Sequence, residues 1–297
     1  MSETYHLTST VKLNDGNSMP RLGLGVYESE PGEECYNAVR WALEAGYRHI
    51  DGAEWYENEE DCGKAINAFL SANPSVQRSD IFFTSKLMHN QSDPQRVIDA
   101  IKVSLEKSKQ DYLDLYLIHG PQGGPEVRAQ SWEGCVRAKE IGLVKSALRT
   151  KISSFLHSTT RSNFGIQHLT DLLASQPRAI PSVNQVDLHP FMTRDDLVAY
   201  CEKNGIVLEA WGPLVRGQRF DHPEIVKMAQ KYNKSPAQVL IRWGLERGFV
   251  VIPKSTKKNR IADNANVFDF QMSKEDVDHL TSLDEFLITD WEVTTIP

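Results

Sequence analysis

Cysteine is scarce in this chain: four in 297 residues, and Cys35, Cys62, Cys135 and Cys201 stand far apart, with no Cys-x-x-Cys pair and no histidine tract beside them. That spacing argues against a zinc site and a disulfide framework, and buried thiols are the expectation. No apolar run approaches the roughly 18 residues of a membrane-spanning helix. The opening Met-Ser-Glu-Thr-Tyr-His has neither the basic stretch nor the apolar core of a secretory leader. A basic stripe is also missing, and a net charge of −7 argues against nucleic acid as the main partner, because phosphate backbones demand a basic surface. The expectation is a soluble, cytoplasmic monomer with no nucleic-acid or membrane partner.

No Gly/Ser/Pro-rich linker divides the chain. With 40% apolar residues, its length suits one barrel or two ordinary domains. One beat recurs along it. After a hairpin signal, Thr10–Leu13 running into Asn14-Asp15-Gly16, comes the apolar run Leu22–Val26. Cys35, Ala38, Val39, Ala42 and Leu43 then fall at helical spacing, and Gly46 stops the helix. Tyr47–Asp51 precedes a helix carrying Cys62, Ala65, Ile66 and Phe69. Ile81–Lys86 precedes one carrying Val97, Ile101, Val103 and Leu105. Tyr112–His119 precedes Glu126–Ile141, a strand starts at Leu143-Val144, and Ser182–Leu188, Ile206–Trp211 and Phe249–Ile252 follow.

Eight short strands alternating with helices predict an α/β fold, a (β/α)8 TIM barrel with an N-terminal β-hairpin, as a single domain over residues 1–297. The rival doubly wound sheet loses support at Gly23-Leu24-Gly25, which lacks the third glycine of a dinucleotide fingerprint. A hydrolase barrel is disfavoured because neighbouring strand ends carry no paired carboxylates and no metal-ligand cluster is evident.

Asp51, Lys86 and His119 each fall where a predicted strand ends, with Tyr56 five residues beyond Asp51. Taken singly, Asp51 could cap a helix, Tyr56 could be a half-buried loop aromatic, Lys86 a solvated rim lysine and His119 a satisfied core histidine. Taken together, the C-terminal rim of a parallel barrel gathers them into one proton-donating cluster. Such a cluster suits carbonyl reduction, in which negative charge develops on an oxygen that must be stabilised and protonated. Tyr56 is the expected acid, Lys86 the ammonium that favours its ionised form, Asp51 the counter-ion that holds Lys86, and His119 a neutral imidazole that orients the carbonyl.

The runs His49–Glu60, Phe83–Lys86, Asp114–His119, Val183–Gln185 and Ile252–Ser255 resemble the aldo-keto reductases across almost the whole chain. The resemblance implies reversible, NADPH-dependent reduction of aldehydes or ketones, with NADH the less favoured cofactor and a small carbonyl or alcohol as substrate. It implies that Ser162, Asn163 and Gln185 bind the nicotinamide carboxamide. Trp211 would stack on the ring where many relatives have Tyr, with Pro213 and Leu214 beside it. Lys254, Ser255 and Arg260 would grip the 2′-phosphate, with Asp263 and Asn264 near the adenine. The bland alternative for the cluster Lys257 to Arg260 is a solvated helix start. Tyr27, Trp55, Met88, His89, Gly120 and Trp132 match substrate-lining positions; Met88 and Gly120 stand where related enzymes often carry Trp, which implies a wider pocket.

The chain departs from that pattern between Ser146 and Ser162, where about a dozen residues are extra. The insertion is placed at 147–161, in or after the fifth strand, with Ala147 and Leu148 able to finish that strand and Lys151 to Arg161 forming an excursion. It is either a genuine rim loop or a translated intron remnant. Two further readings therefore stand beside the reductase: a nucleotide-bound regulatory or partner-binding protein on the same fold, and a weakly active chain impaired by the insertion.

Overall fold

The structure is a computed structural model and describes residues 5–146, 160–175 and 177–296. A hairpin opens it, β1 (Thr10–Lys12) antiparallel to β2 (Ser18–Pro20), with Val11 opposite Met19. The barrel strands follow as β3 (Leu24–Gly25), β4 (His49–Asp51), β5 (Phe82–Leu87), β6 (Leu113–Ile118), β7 (Val144–Ser146), β8 (Thr160–Ser162), β9 (Val183–Asp187), β10 (Val207–Trp211) and β11 (Val250–Val251). Every barrel pairing is parallel, in the order β3-β4-β5-β6-β8-β9-β10-β11, with β7 also on β6. The ring closes through bridges Leu22–Val251 and Gly25–Lys254, and the Gly23 N–H donates to the Val251 carbonyl at 2.9 Å.

Closure explains the first glycine of Gly23-Leu24-Gly25. A Cβ on Gly23 would lie 2.6 Å from Nδ1 of His49, so the strand passes that buried imidazole only without a side chain. Leu13 and Met19 of the hairpin pack with Phe82, Leu115, Leu117, Val183 and Val250 of the strands. The hairpin thus covers inward-facing apolar residues that would otherwise meet water.

Helices separate successive strands. Glu33–Glu44 buries Cys35, Ala38, Val39, Ala42 and Leu43, the stripe expected from spacing. In Pro94–Ser108 the start is fixed by Asp93, whose carboxylate accepts from the Gln95 N–H, and by Pro94 at the first turn. Here one expectation fails: Val103 is 43% exposed. Two residues after Ile101 it has turned about 200° around the helix, away from the face that Val97, Ile101 and Leu105 bury. The next helix runs Gly124–Glu140, two residues earlier than expected at its start.

The fifth strand is in two pieces. Ser146 of β7 pairs with Leu115 of β6, and Thr160 of β8 pairs with Leu117. The neighbour advances two residues while this chain advances fourteen, so twelve residues are in excess. The strand resumes at Thr160, which takes Thr160 and Arg161 out of the excursion and into the sheet. Ala147, Leu148 and Lys151 lie outside the described residues. Among the described residues, no helix is long and apolar enough to cross a membrane.

Candidate active site

Asp51 is the last residue of β4, Lys86 the fifth of the six in β5, and His119 directly follows β6. Three adjacent parallel strands therefore deliver a carboxyl, an ammonium and an imidazole to one rim. Tyr56 reaches the same place from a 3-10 turn, Glu54–Tyr56, that ends at Glu57 in the left-handed region with φ 56°. Buried Asn58 then fixes the turn's exit, its amide donating to the carbonyls of Val26 (3.0 Å) and Ser29 (3.1 Å).

The Lys86 ammonium has no exposed surface. It donates to Asp51 Oδ1 at 2.6 Å, to the Gly52 carbonyl at 2.9 Å and to the Tyr56 hydroxyl at 3.1 Å. An ammonium has three N–H groups and no acceptor. All three are thus used, and the Tyr56 oxygen is the acceptor of the third. The phenolic proton is left to point elsewhere.

Burial works against the Lys86 charge, but the Asp51 carboxylate and the Tyr56 phenol outweigh it and raise its pKa above the usual lysine value. Burial also pushes Tyr56 up, to about 12, against the pull of Lys86. The ammonium favours the ionised form of this phenol, as expected, but burial outweighs it. Burial and the Lys86 charge push His119 well below the ordinary histidine range, so its ring is neutral at pH 7.

The rings stack edgewise around that imidazole. Tyr56 and Trp55 lie 5.6 Å and 5.5 Å from His119 between ring centres. Trp291, from the C-terminal tail, lies 6.2 Å from His119 and 5.8 Å from Trp55. Tyr27 packs on Tyr56 at 5.1 Å.

A cavity of about 510 Å³ opens over the cluster, lined by Asp51, Tyr56, His119, Tyr27, Trp55, Asn163, Gln185, Trp211, Pro213, Leu214, Lys254 and Arg260. Asn163 is held with φ 60°, a conformation asparagine tolerates better than most residues. Its amide donates to the His119 carbonyl at 3.0 Å and accepts from the Trp211 indole at 2.8 Å. The chain therefore returns to the rim after the excursion. Ser162 pairs with Gln185 in the sheet, and its side chain lies outside the described residues.

Other expected positions fall away from the cavity wall. Trp132 is buried and its indole donates to the Ala179 carbonyl at 3.2 Å. Met88 is 38% exposed, and neither it nor His89 lines the cavity. Ser255, Asp263 and Asn264 also sit outside the lining: Ser255 caps the Lys257 N–H, the Asp263 carbonyl accepts from Gln238, and Asn264 is buried.

Several lining residues carry no sequence signal. Arg216 spans the mouth, meeting both carboxylate oxygens of Glu28 at 2.7 and 2.9 Å and Asp290 at 3.3 Å, while Lys254 donates to the Glu28 carbonyl at 2.8 Å. Trp291 stands in a polar tail that nothing marks as part of a site. Glu209 is different, because an acid amid Val207-Leu208-Glu209-Ala210-Trp211 is a signal that sequence reasoning overlooked.

An eight-stranded parallel barrel with a Tyr–Lys–Asp–His cluster at its C-terminal rim defines a class of proteins, and comparison places this chain within it. The Aldo/keto reductase family model matches residues 21–285. An uncharacterized oxidoreductase of Schizosaccharomyces pombe is 42% identical, with 98% of this chain and 99% of that protein covered. The glyoxal reductase of Bacillus subtilis is 40% identical over 94% of each chain. The crystal structure of a Bombyx mori aldo-keto reductase in complex with NADP is 34% identical, with a TM-score of 0.84 over 96% of this chain and 98% of that one. The chain belongs to the aldo-keto reductase family and is an oxidoreductase.

Proposed function

We propose that the protein reduces small aldehydes and ketones, α-oxoaldehydes among them, to alcohols at the expense of NADPH, with Tyr56 as proton donor. The observation that carries this reading is the Lys86 ammonium, whose three N–H groups are spent on Asp51, Gly52 and Tyr56. The Tyr56 oxygen then accepts, and its own proton is free for an oxygen in the cavity that Tyr56 lines. A phenol held near pKa 12 still protonates a developing alkoxide, which is more basic than phenolate. Lys86 then stabilises the phenolate left behind, and Asp51 keeps Lys86 charged. Neutral His119 orients the carbonyl without adding a competing cation.

A bound nicotinamide dinucleotide supplies the hydride, since no side chain donates one. The residues of the cavity suit that group. Asn163 and Gln185 offer amides for its carboxamide, and Trp211, fixed through its indole N–H, offers a ring face. Lys254 and Arg260 offer two cations for phosphate, which favours NADPH over NADH. Ser255, Asp263 and Asn264 take the adenosine end, and the side chain of Ser162 joins Asn163 in this reading. Glyoxal reductase among the relatives points to α-oxoaldehydes. The reading includes one monomeric barrel domain in the cytoplasm, on the sequence grounds given above.

NADPH consumption with a panel of aldehydes, ketones and dicarbonyls tests it. Tyr56→Phe is expected to lower kcat by about 10³-fold while NADPH affinity, read by fluorescence titration, stays near wild type. A Tyr56→Phe enzyme that turns over normally would remove Tyr56 as the acid. Tight NADPH binding with no turnover on any substrate would favour a regulatory protein.

A further inference from the structure

Glu209 lies mid-strand in β10, directly across from Gln185 in the register with β9, and has no exposed surface. Burial and the nearby Asp51 carboxylate raise its pKa to about 8, so near neutral pH it is mostly an uncharged acid. Its Oε2 nevertheless meets the Gln185 Nε2 at 2.9 Å, while the same nitrogen donates to Asp51 Oδ2 at 2.8 Å. An amide nitrogen carries two hydrogens, and here each has its own carboxyl. Turning the amide over would set its carbonyl oxygen against Asp51 Oδ2 and Glu209 Oε2, both acceptors when the acid proton of Glu209 sits on Oε1, the oxygen that faces His49 Nε2 at 3.6 Å.

Asp51 Oδ2 takes one of the two amide hydrogens and Glu209 Oε2 the other. The second acceptor makes the inverted amide costly on both sides. The carbonyl oxygen of Gln185, bonded to the same carbon as the held nitrogen, is thereby turned away from the carboxyl pair, and Gln185 lines the cavity.

We propose that Glu209 is a positioning residue that locks the Gln185 amide with its nitrogen inward, so that its carbonyl oxygen is presented as an acceptor to the NH2 of the nicotinamide carboxamide. This rests on the cofactor reading above. Glu209 does not touch the cofactor and takes no part in proton transfer. With the acid proton on Oε1, Oε2 accepts from Gln185 in either charge state.

The test compares NADPH with its 3-acetylpyridine analogue, which lacks the carboxamide NH2, by fluorescence and calorimetric titration. Wild type is expected to prefer the carboxamide by about tenfold, the worth of one good hydrogen bond. Glu209→Gln keeps an acceptor oxygen and should keep that preference. Glu209→Met fills similar volume but accepts nothing, and should bring the preference close to one; Glu209→Leu is read in its place where Glu209→Met does not fold. A variant without the acceptor that binds both dinucleotides more weakly by the same factor would mark Glu209 as merely structural, and one that keeps the wild-type preference would overturn the proposal. Wild type that binds neither dinucleotide overturns the cofactor reading instead, and that outcome is distinct from the other two.

Discussion

Two buried lysine–aspartate pairs sit in different parts of this molecule and behave oppositely. On the C-terminal rim, Lys86 and Asp51 meet at 2.6 Å. On the hairpin side, Lys139 of the helix Gly124–Glu140 meets Asp15 of the hairpin turn at 3.2 Å. Both ammonium groups are largely removed from water, with side chains 0% and 7% exposed. Lys86 holds its proton more tightly than a free lysine, whereas burial pulls Lys139 down to about 8 against the attraction of Asp15. What differs is the company. Lys86 has a carboxylate, a carbonyl and a phenol for its three hydrogens, whereas Lys139 has one carboxylate, and Asp15 also accepts from the Asn17 backbone (2.9 Å) and side chain (3.1 Å). A buried charge is kept by the number of groups that satisfy it, more than by the presence of one partner. The rim pair fits a role in chemistry; the other fits one in holding the hairpin.

The sharpest way to break this contrast is to remove each ammonium in turn. Lys86→Met is expected to lower kcat by about 10³-fold, and Lys139→Met to leave it within about twofold, in steady-state assays on the same carbonyl substrate. Comparable losses in both would end the distinction.

A smaller effect should appear in stability against pH. The folded-state pKa of Lys139 lies below its unfolded value, so between about 8 and 10.5 the unfolded chain binds more protons, and stability rises with pH through that window. Relative to Lys139→Met, wild type should gain about 1–2 kcal/mol there, less than the full shift implies because the head group is partly screened. Denaturant unfolding across pH 7.5–10.5 checks this; a constant difference would contradict it. Lys86, shifted the other way, contributes stability that is fully present below about 10.5 and fades as pH rises beyond that value.

The smallest effect is expected from the insertion. Removing residues 148–159, the twelve in excess by register, should leave turnover within about threefold, because His119, Gln185 and Trp211 all hold Asn163. A hundredfold change either way, measured as kcat/KM, would show that sensitivity extends beyond the acceptors around Lys86 and that the insertion matters to catalysis.

Much of this was legible from the chain. Asp51, Lys86 and His119 stand at strand ends, and parallel strands with crossover helices bring such ends to one rim. The pocket wall was less legible. Trp132 sits on a helix whose apolar face serves the core, and no local pattern separates a ring that packs inward from one that faces a cavity. Val103 failed for a related reason, since an apolar residue near a helical stripe need not lie on it. Arg216 and Glu28 stand 188 residues apart, Trp291 lies farther still from Glu28, and only folding joins the three.

Sequence alone thus determined the barrel, its hairpin and which polar residues share a rim, because strand direction and the β/α period are local properties carried outward by a regular fold. Tertiary structure decided the protonation states, the two carboxyls that hold Gln185, and the tail tryptophan over His119. Those depend on how completely water is excluded and on which distant strands lie side by side, and neither quantity is written in any single stretch of chain.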